Sequence, residues 1–171
     1  MRTLLRILLY FTAAILIAGS TSYLLSGGPH EIVNHVHIKK TSDEVFTFIS
    51  DMRNELKWNP DVMYMNKETS GDIGLGTTFR AKWHMSDTIL VTISKFEKPK
   101  HVIFVNGGPI EVTLNVTLNP AGPETDMEAL FIATPHGFMR VIFPIFKMQI
   151  EKQERLNMVN LKTALEKPGG A

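Results

Sequence analysis

The stretch FMRVIFPIFKMQIEKQERLNMVNLKTALEK, residues 138 to 167, is the strongest indication of the architecture of this chain. It predicts one long helix, which either begins at Pro144 or is kinked there after a turn from Phe138. Such a helix needs an apolar surface to lie on, so we expect it to close a curved sheet. The apolar stripe comprises Phe146, Ile150, Leu161 and Leu165, and the residues that mostly face water are Glu151, Lys152, Glu154, Arg155 and Lys162.

The segment that follows residue 31 alternates in the manner of a half-buried strand. Residues Ile32 to Ile38 place apolar side chains on one side, whereas His35 and His37 fall on the other. A metal site would need at least one further ligand, for which His30 and His101 are the candidates, but two histidines on a wet face are expected to be solvated.

Two short helices are predicted after this strand. Thr41 and Glu44 form a capping box, with apolar residues following on one helical face. A second helical turn, Arg53 to Lys57, ends at the Asn59-Pro60 step, because the residue before proline avoids the helical region. Trp58 lies at this corner.

Six further strands are predicted, and their short links require antiparallel pairing. We therefore predict an α+β fold in which a curved seven-stranded antiparallel sheet wraps round the long carboxy-terminal helix. For residues 89 to 96 the alternation is poor, so either face is compatible with burial. The predicted strands are Val62 to Lys67, Thr77 to His84, Thr88 to Phe96, His101 to Val105, Ile110 to Leu118 and Met127 to Thr134.

The amino terminus carries an uncharged, mostly apolar run from Ile7 to Leu25, preceded by Arg2 and Arg6. At about 1.5 Å per helical residue this run comes close to crossing a bilayer. Residues 1–29 are thus predicted to be a transmembrane anchor and linker, and residues 30–171 a single domain. The positive-inside rule places the domain on the extracytoplasmic side. The alternative is a cleaved secretory signal and a secreted domain.

Composition excludes several classes of function. The chain has 18 basic and 17 acidic residues, and its net charge of +1 gives no reason to expect a nucleic-acid partner. It has no cysteine, so thiolate metal sites and cysteine nucleophiles are excluded. Neither a glycine-rich phosphate loop nor a serine nucleophile elbow is present. We predict no cofactor, no metal and no catalytic residue, since no carboxylate falls on a clearly inward position.

The inward-facing apolar residues form a candidate wall for a cavity between sheet and helix. Each of them also suits an ordinary core, so the prediction depends on the set rather than on its members. The candidate ligand-binding residues are Trp58, Met63, Met65, Phe79, Trp83, Phe104, Leu114, Val116, Phe131, Phe143, Phe146 and Ile150.

Four segments carry a resemblance to a known superfamily: VHIKKTSDEVFTFI from Val36, DMRNELKWNPDV from Asp51, GLGTTFR from Gly74 and LKTALE from Leu161. With the predicted order of elements, the domain resembles the SRPBCC superfamily, whose helix-grip fold is also called START-like or polyketide cyclase-like. The resemblance implies an apolar cavity for lipids, polyketides or similar molecules. It does not choose among the carriers, cyclases, hydrolases and chaperone activators of that superfamily.

The expected function is therefore binding or transport of a hydrophobic small molecule, lipid-like or polyketide-like, by a membrane-tethered domain without catalysis. A cyclase- or hydrolase-type enzyme is the first alternative, and a buried histidine or carboxylate in the cavity would favour it. The second is a protein-interaction module, which an exposed apolar patch without a cavity would favour.

Overall fold

The computed structural model describes residues 2–25, 28–84 and 86–167, and the predicted linker residues Ser26 and Gly27 lie outside these ranges. Three α-helices, one 3₁₀ helix and seven strands make up this part of the chain. In order they are α1 (Arg2–Leu25), β1 (His30–Ile38), α2 (Ser42–Ser50), the 3₁₀ helix (Met52–Lys57), β2 (Val62–Lys67), β3 (Thr78–Trp83), β4 (Ile89–Glu97), β5 (His101–Asn106), β6 (Ile110–Ala121), β7 (Glu124–Pro135) and α3 (Met139–Glu166).

The seven strands form one antiparallel sheet in the order β1-β7-β6-β5-β4-β3-β2. Every strand pairs with its sequence neighbour except β1, which pairs with β7. Helix α3 packs against β1 and β7, and its residues Met158, Leu161 and Leu165 join the core. The predicted α+β helix-grip architecture, with a seven-stranded antiparallel sheet, two short helices and a long carboxy-terminal helix, is confirmed.

The capping box starts α2 as predicted. The Thr41 hydroxyl accepts from the Glu44 amide at 3.4 Å, and the Thr41 amide donates to the Glu44 carboxylate at 2.9 Å. Hydrogen bonds from Thr41 lower the pKa of Glu44 to about 2. The apolar residues that follow on this helix, including Val45 and Phe46, are buried in the core.

Two bulges break the alternation of the sheet. In β2 the register with β3 shifts between Val62 and Tyr64, so Met63 is the extra residue and both Met63 and Tyr64 point outward. In β4 the register shifts between Ile93 and Lys95. Before this second bulge Val91 and Ile93 are buried, and after it Phe96 packs against the core.

The hairpin between β6 and β7 is tighter than the sequence predicts. We expected β6 to end at Leu118 and β7 to begin at Met127, but β6 continues to Ala121 and β7 already begins at Glu124. The turn needs only Gly122, with a φ of 68°, and Pro123. Pro120 is accommodated in β6, close to the turn, where it pairs with Thr125.

Helix α3 begins at Met139 and continues past Pro144, which lies within its first two turns. The first half of α3 contacts the end of α1: the Ser22 hydroxyl donates to the Val141 carbonyl at 2.6 Å, and the Arg140 guanidinium lies 4.1 Å from the centre of the Tyr23 ring. The second half of α3 buries Asn157, Met158, Leu161 and Leu165 against the sheet. One helix thus contacts both α1 and the core.

Candidate functional site

A cavity of about 170 Å³ lies between the sheet and the second half of α3. The sheet supplies most of its apolar wall, α2 and the 3₁₀ helix close one side, and α3 covers it. The lining residues are Phe48, Ile49, Asp51, Met52, Glu55, Trp58, Asn59, Asp61, Trp83, Val91, Phe104, Val105, Asn106, Val112, Leu114, Val116, Met127, Ala129, Phe131, Gln153, Glu154, Asn157, Met158 and Leu161.

Half of the predicted wall lines this cavity. The sheet and the corner after the 3₁₀ helix bring together six of the twelve candidate residues, which come from five separate segments of the chain. They are Trp58, Trp83, Phe104, Leu114, Val116 and Phe131.

The other six candidates lie elsewhere. Met63 is 54% exposed, because the bulge in β2 turns it to the outside. Met65 and Phe79 are packed within the solid core. The remaining three, Phe143, Phe146 and Ile150, belong to the first half of α3, which lies beyond the cavity.

Glu55 brings a carboxyl group to the cavity wall. Asp51 caps the 3₁₀ helix by accepting from the Arg53 amide at 3.1 Å, and the turn that follows directs Glu55 inward. Its Oε1 accepts from Asn59 Nδ2 at 2.7 Å and from Trp83 Nε1 at 3.3 Å. Burial outweighs these hydrogen bonds and raises the pKa of Glu55 to about 7.

Glu154 brings a second carboxyl group to the same wall from α3. Burial, and to a smaller degree the negative charge of Glu55, raises the pKa of Glu154 to about 7. Oε1 of Glu154 accepts from Asn157 Nδ2 at 3.5 Å, which is the outer limit for a hydrogen bond. Asn157 in turn accepts from Gln153 Nε2 at 3.0 Å. We expected Glu154 to face water, and this expectation is wrong because the residue lines the cavity.

The two remaining acidic residues of the wall are paired with basic groups. Asp51 contacts the Arg53 guanidinium at 2.6 Å, and Asp61 lies 3.4 Å from His84 Nδ1. The Arg53 guanidinium lowers the pKa of Asp51. Among the described residues of the cavity wall, Glu55 and Glu154 are therefore the two carboxyl groups with a raised pKa.

The sequence contains a signal for Glu154 that the stripe of α3 makes visible. Ile150, Glu154, Met158, Leu161 and Leu165 follow one another at intervals of three or four, which is the spacing of one helical face. A charged residue inside an apolar stripe is a sign of function or of a special contact. For Glu55 no such periodic signal exists, because the 3₁₀ helix is only six residues long.

The pair can hold, share or transfer protons near neutral pH. Two carboxyl groups whose pKa values are both raised to about 7 exchange protons with water under ordinary cellular conditions. A polar end of this kind, facing an apolar wall, also orients a bound molecule.

One end of the cavity lies close to the start of β1. Val112 and Asn106 line the cavity and are paired across β6 and β5. Val112 is opposite Ala133, and Ala133 is opposite His30. Opposed residues of antiparallel strands share a face, so one row of side chains leads from the cavity to His30, a few residues after α1.

Comparison with known proteins identifies the fold. No protein-family model and no curated protein matches the sequence. Among solved structures, KanY is 20% identical with a TM-score of 0.65, and the match covers 82% of this chain and 99% of KanY. The Zhui aromatase/cyclase from Streptomyces sp. R1128 is 8% identical with a TM-score of 0.63, covering 81% and 94%.

A third similar structure is that of Ara h 8.0201, which is 12% identical with a TM-score of 0.59, covering 81% of this chain and 98% of that protein. The matched share corresponds in size to residues 30 to 167, from β1 through α3. The chain therefore shares the helix-grip fold of these proteins.

Proposed function

We propose that this chain is a membrane-tethered binding protein for a hydrophobic small molecule, which occupies the cavity between the sheet and α3. The observation that carries the proposal is the cavity itself, whose wall is mostly apolar and aromatic. Burial of apolar surface contributes about 25 cal/mol per Å², so a ligand that buries roughly 200 Å² gains about 5 kcal/mol before the costs of association.

The cavity volume limits the ligand. At about 170 Å³ it resembles the engineered cavities that take up benzene, and it lies below the roughly 300 to 1,000 Å³ of ordinary ligand pockets. A molecule of about one aromatic ring fits without rearrangement. A lipid-like or polyketide-like ligand requires α3 to move away from the sheet.

Helix α1 supports the membrane tether. Its segment Arg2–Leu24 has a mean hydropathy of 1.8, is long enough to cross a bilayer and is not buried against the domain. Length and composition of this kind also suit a signal sequence, so the anchor at residues 1–29 and the extracytoplasmic position of the domain belong to this proposal.

The first half of α3 gives independent support for contact with a bilayer. Phe138, Ile145 and Met148 are 72%, 75% and 78% exposed, although all three are large and apolar. Ile145 and Met148 lie on, and Phe138 lies immediately before, the part of α3 that contacts the end of α1 through Val141 and Arg140. With α1 in a membrane, these side chains reach the boundary between headgroups and acyl chains, where exposed apolar groups are stabilised.

A single loading experiment tests the binding proposal. The full chain is purified from membranes, and the bound small molecules are released and identified by mass spectrometry. Val112→Phe fills the cavity, and Val33→Phe makes the same change at an exposed position of β1. We expect an apolar molecule in the wild type and in Val33→Phe, and its loss in Val112→Phe. Equal loading of all three proteins would contradict the proposal.

The second candidate function is acid–base catalysis, and the carboxyl pair of Glu55 and Glu154 favours it. Groups with a pKa near 7 in an apolar cavity are suited to proton transfer. The molecule released in the loading experiment is incubated with fresh protein for this test. Conversion by the wild type and not by Glu55→Gln supports an enzyme, whereas recovery of the unchanged molecule supports a binding protein.

A further inference from the structure

The cavity wall carries acidic groups and no basic ones. Among the lining residues in the described part of the chain, four are Asp or Glu and none is Lys, Arg or His. Asp51 and Asp61 have the basic neighbours described above, whereas no basic group of the described residues lies within salt-bridge distance of Glu55 or Glu154. An enclosed site with this excess of negative groups favours a cationic ligand.

Both carboxyl groups also have an unused oxygen. The hydrogen bonds to Glu55 all reach Oε1, and the long hydrogen bond to Glu154 reaches Oε1 as well. Within the described residues, no donor is bonded to Oε2 of either side chain. An oxygen at a cavity wall that accepts from no protein donor is free to accept from a ligand, so the two Oε2 atoms indicate where a donor from a ligand belongs.

The rest of the wall suits the apolar part of such a ligand. Five aromatic side chains line the same cavity: Phe48, Trp58, Trp83, Phe104 and Phe131. Aromatic faces attract organic cations, and Trp is the strongest of them in this respect. The cavity therefore combines carboxyl groups with aromatic rings, which is the chemistry that recognises amines.

We propose that the cavity binds a small apolar amine in its protonated form, with the ammonium group between Glu55 and Glu154 and the apolar part against the aromatic wall. This inference rests on the proposed binding function and narrows its ligand to organic cations. The ammonium group supplies the donors that both Oε2 atoms lack. It also keeps both carboxylates ionised, which the empty cavity disfavours.

Discrimination against neutral molecules follows from the same contacts. A neutral molecule of equal shape gains the apolar contacts but leaves the two carboxyl groups without a counter-charge. A hydrogen bond to a charged group is stronger than one between neutral groups. We therefore expect the protonated amine to bind at least about 10-fold more tightly than its neutral isostere.

The experiment uses the full chain in detergent micelles and three one-ring probes: benzylamine, benzyl alcohol and toluene. Affinities are measured by calorimetry at about pH 8, where the amine is protonated and both carboxyl groups are largely ionised. The variant Glu154→Gln removes one charge, and Glu151→Gln makes the same change on α3 outside the cavity. Glu55→Gln provides a second test of the pair should Glu154→Gln fold poorly.

We expect benzylamine to bind the wild type and Glu151→Gln most tightly, and Glu154→Gln or Glu55→Gln to lose about 10-fold in benzylamine affinity while toluene affinity is kept. If toluene and benzyl alcohol bind the wild type as tightly as benzylamine, the amine proposal is overturned and apolar binding stands. If none of the three probes binds, both proposals fail.

Discussion

Burial, together with the negative charge of Glu55, raises the pKa of Glu154, although Glu55 lies on the 3₁₀ helix after α2 and Glu154 on α3. The two elements meet only because the sheet curves far enough for α3 to cover the corner at Trp58. The carboxyl pair is thus a product of the tertiary fold, and several measurable properties depend on it.

The pair makes stability depend on pH in a predictable direction. Each carboxyl keeps its proton in the folded state up to about pH 7, whereas the unfolded chain loses it near the ordinary value of 4.5. The free energy of unfolding therefore falls as pH rises through this window, by about 2 to 3 kcal/mol for one carboxyl.

Glu154→Gln removes part of this dependence. We expect the variant to be more stable than the wild type at pH 8 and no more stable at pH 5, as measured by urea unfolding with fluorescence of the two tryptophans. The raised pKa of His37 also lowers stability as pH rises, but it is common to both proteins and cancels in the difference. A wild type as stable at pH 8 as the variant would contradict the buried state of Glu154.

Asn59→Ala breaks the network that holds Glu55. Asn59 is buried, donates to Glu55 at 2.7 Å and accepts from the Asp61 amide at 3.0 Å. We expect a loss of about 1 to 3 kcal/mol in the free energy of unfolding and a further rise in the pKa of Glu55, since an unpaired buried acceptor is costly. Asn66→Ala, at an exposed position of β2, is the matched control and should change stability by less than about 0.5 kcal/mol.

The bulge in β4 turns Phe96 toward the core. Its ring packs edge-on against Phe46, with centroids 5.0 Å apart. We expect Phe96→Ala to cost about 3 kcal/mol in urea unfolding, because it leaves a cavity in the core. Leu90→Ala, at an exposed position of the same strand, should be nearly neutral. Equal effects of the two changes would place Phe96 on the surface.

Contact of α3 with a bilayer can be measured site by site, since the chain has no cysteine. Ile145→Cys, labelled with an environment-sensitive dye, should shift to the blue in vesicles and be quenched by brominated lipid. Ala121→Cys is the control: it is the last residue of β6, next to the β6–β7 turn, at the end of the sheet opposite His30. Identical spectra at the two positions would contradict the contact.

The sequence predicted the order and type of the elements because local patterns dictate them. The Thr41 capping box, the alternation from Ile32 to Ile38 and the helical spacing of residues 138 to 167 each act within a few residues. The same locality explains the errors. A one-residue bulge at Met63 reverses the faces of its strand, and no propensity marks it.

The site was less accessible to sequence reasoning than the fold. Residues such as Phe104 and Leu114 line the cavity because regular alternation continues through β5 and β6. Whether an inward residue meets empty space or solid core depends on packing at a distance, and Met65 and Phe79 fill the core for this reason. Glu55 and Glu154 reach the cavity wall because the fold brings distant segments of the chain together. From their charge alone, both residues are expected to face water.

The short connection between α1 and β1 limits how far the domain can travel. Leu25 ends the helix and His30 begins the strand, so five peptide steps span at most about 17 Å. If α1 is embedded in a membrane, this connection is shorter than the width of the domain. The domain then cannot carry a ligand between two separate membranes. Whatever enters the cavity arrives from, and departs to, the immediate vicinity of the bilayer or a protein that comes to meet it there.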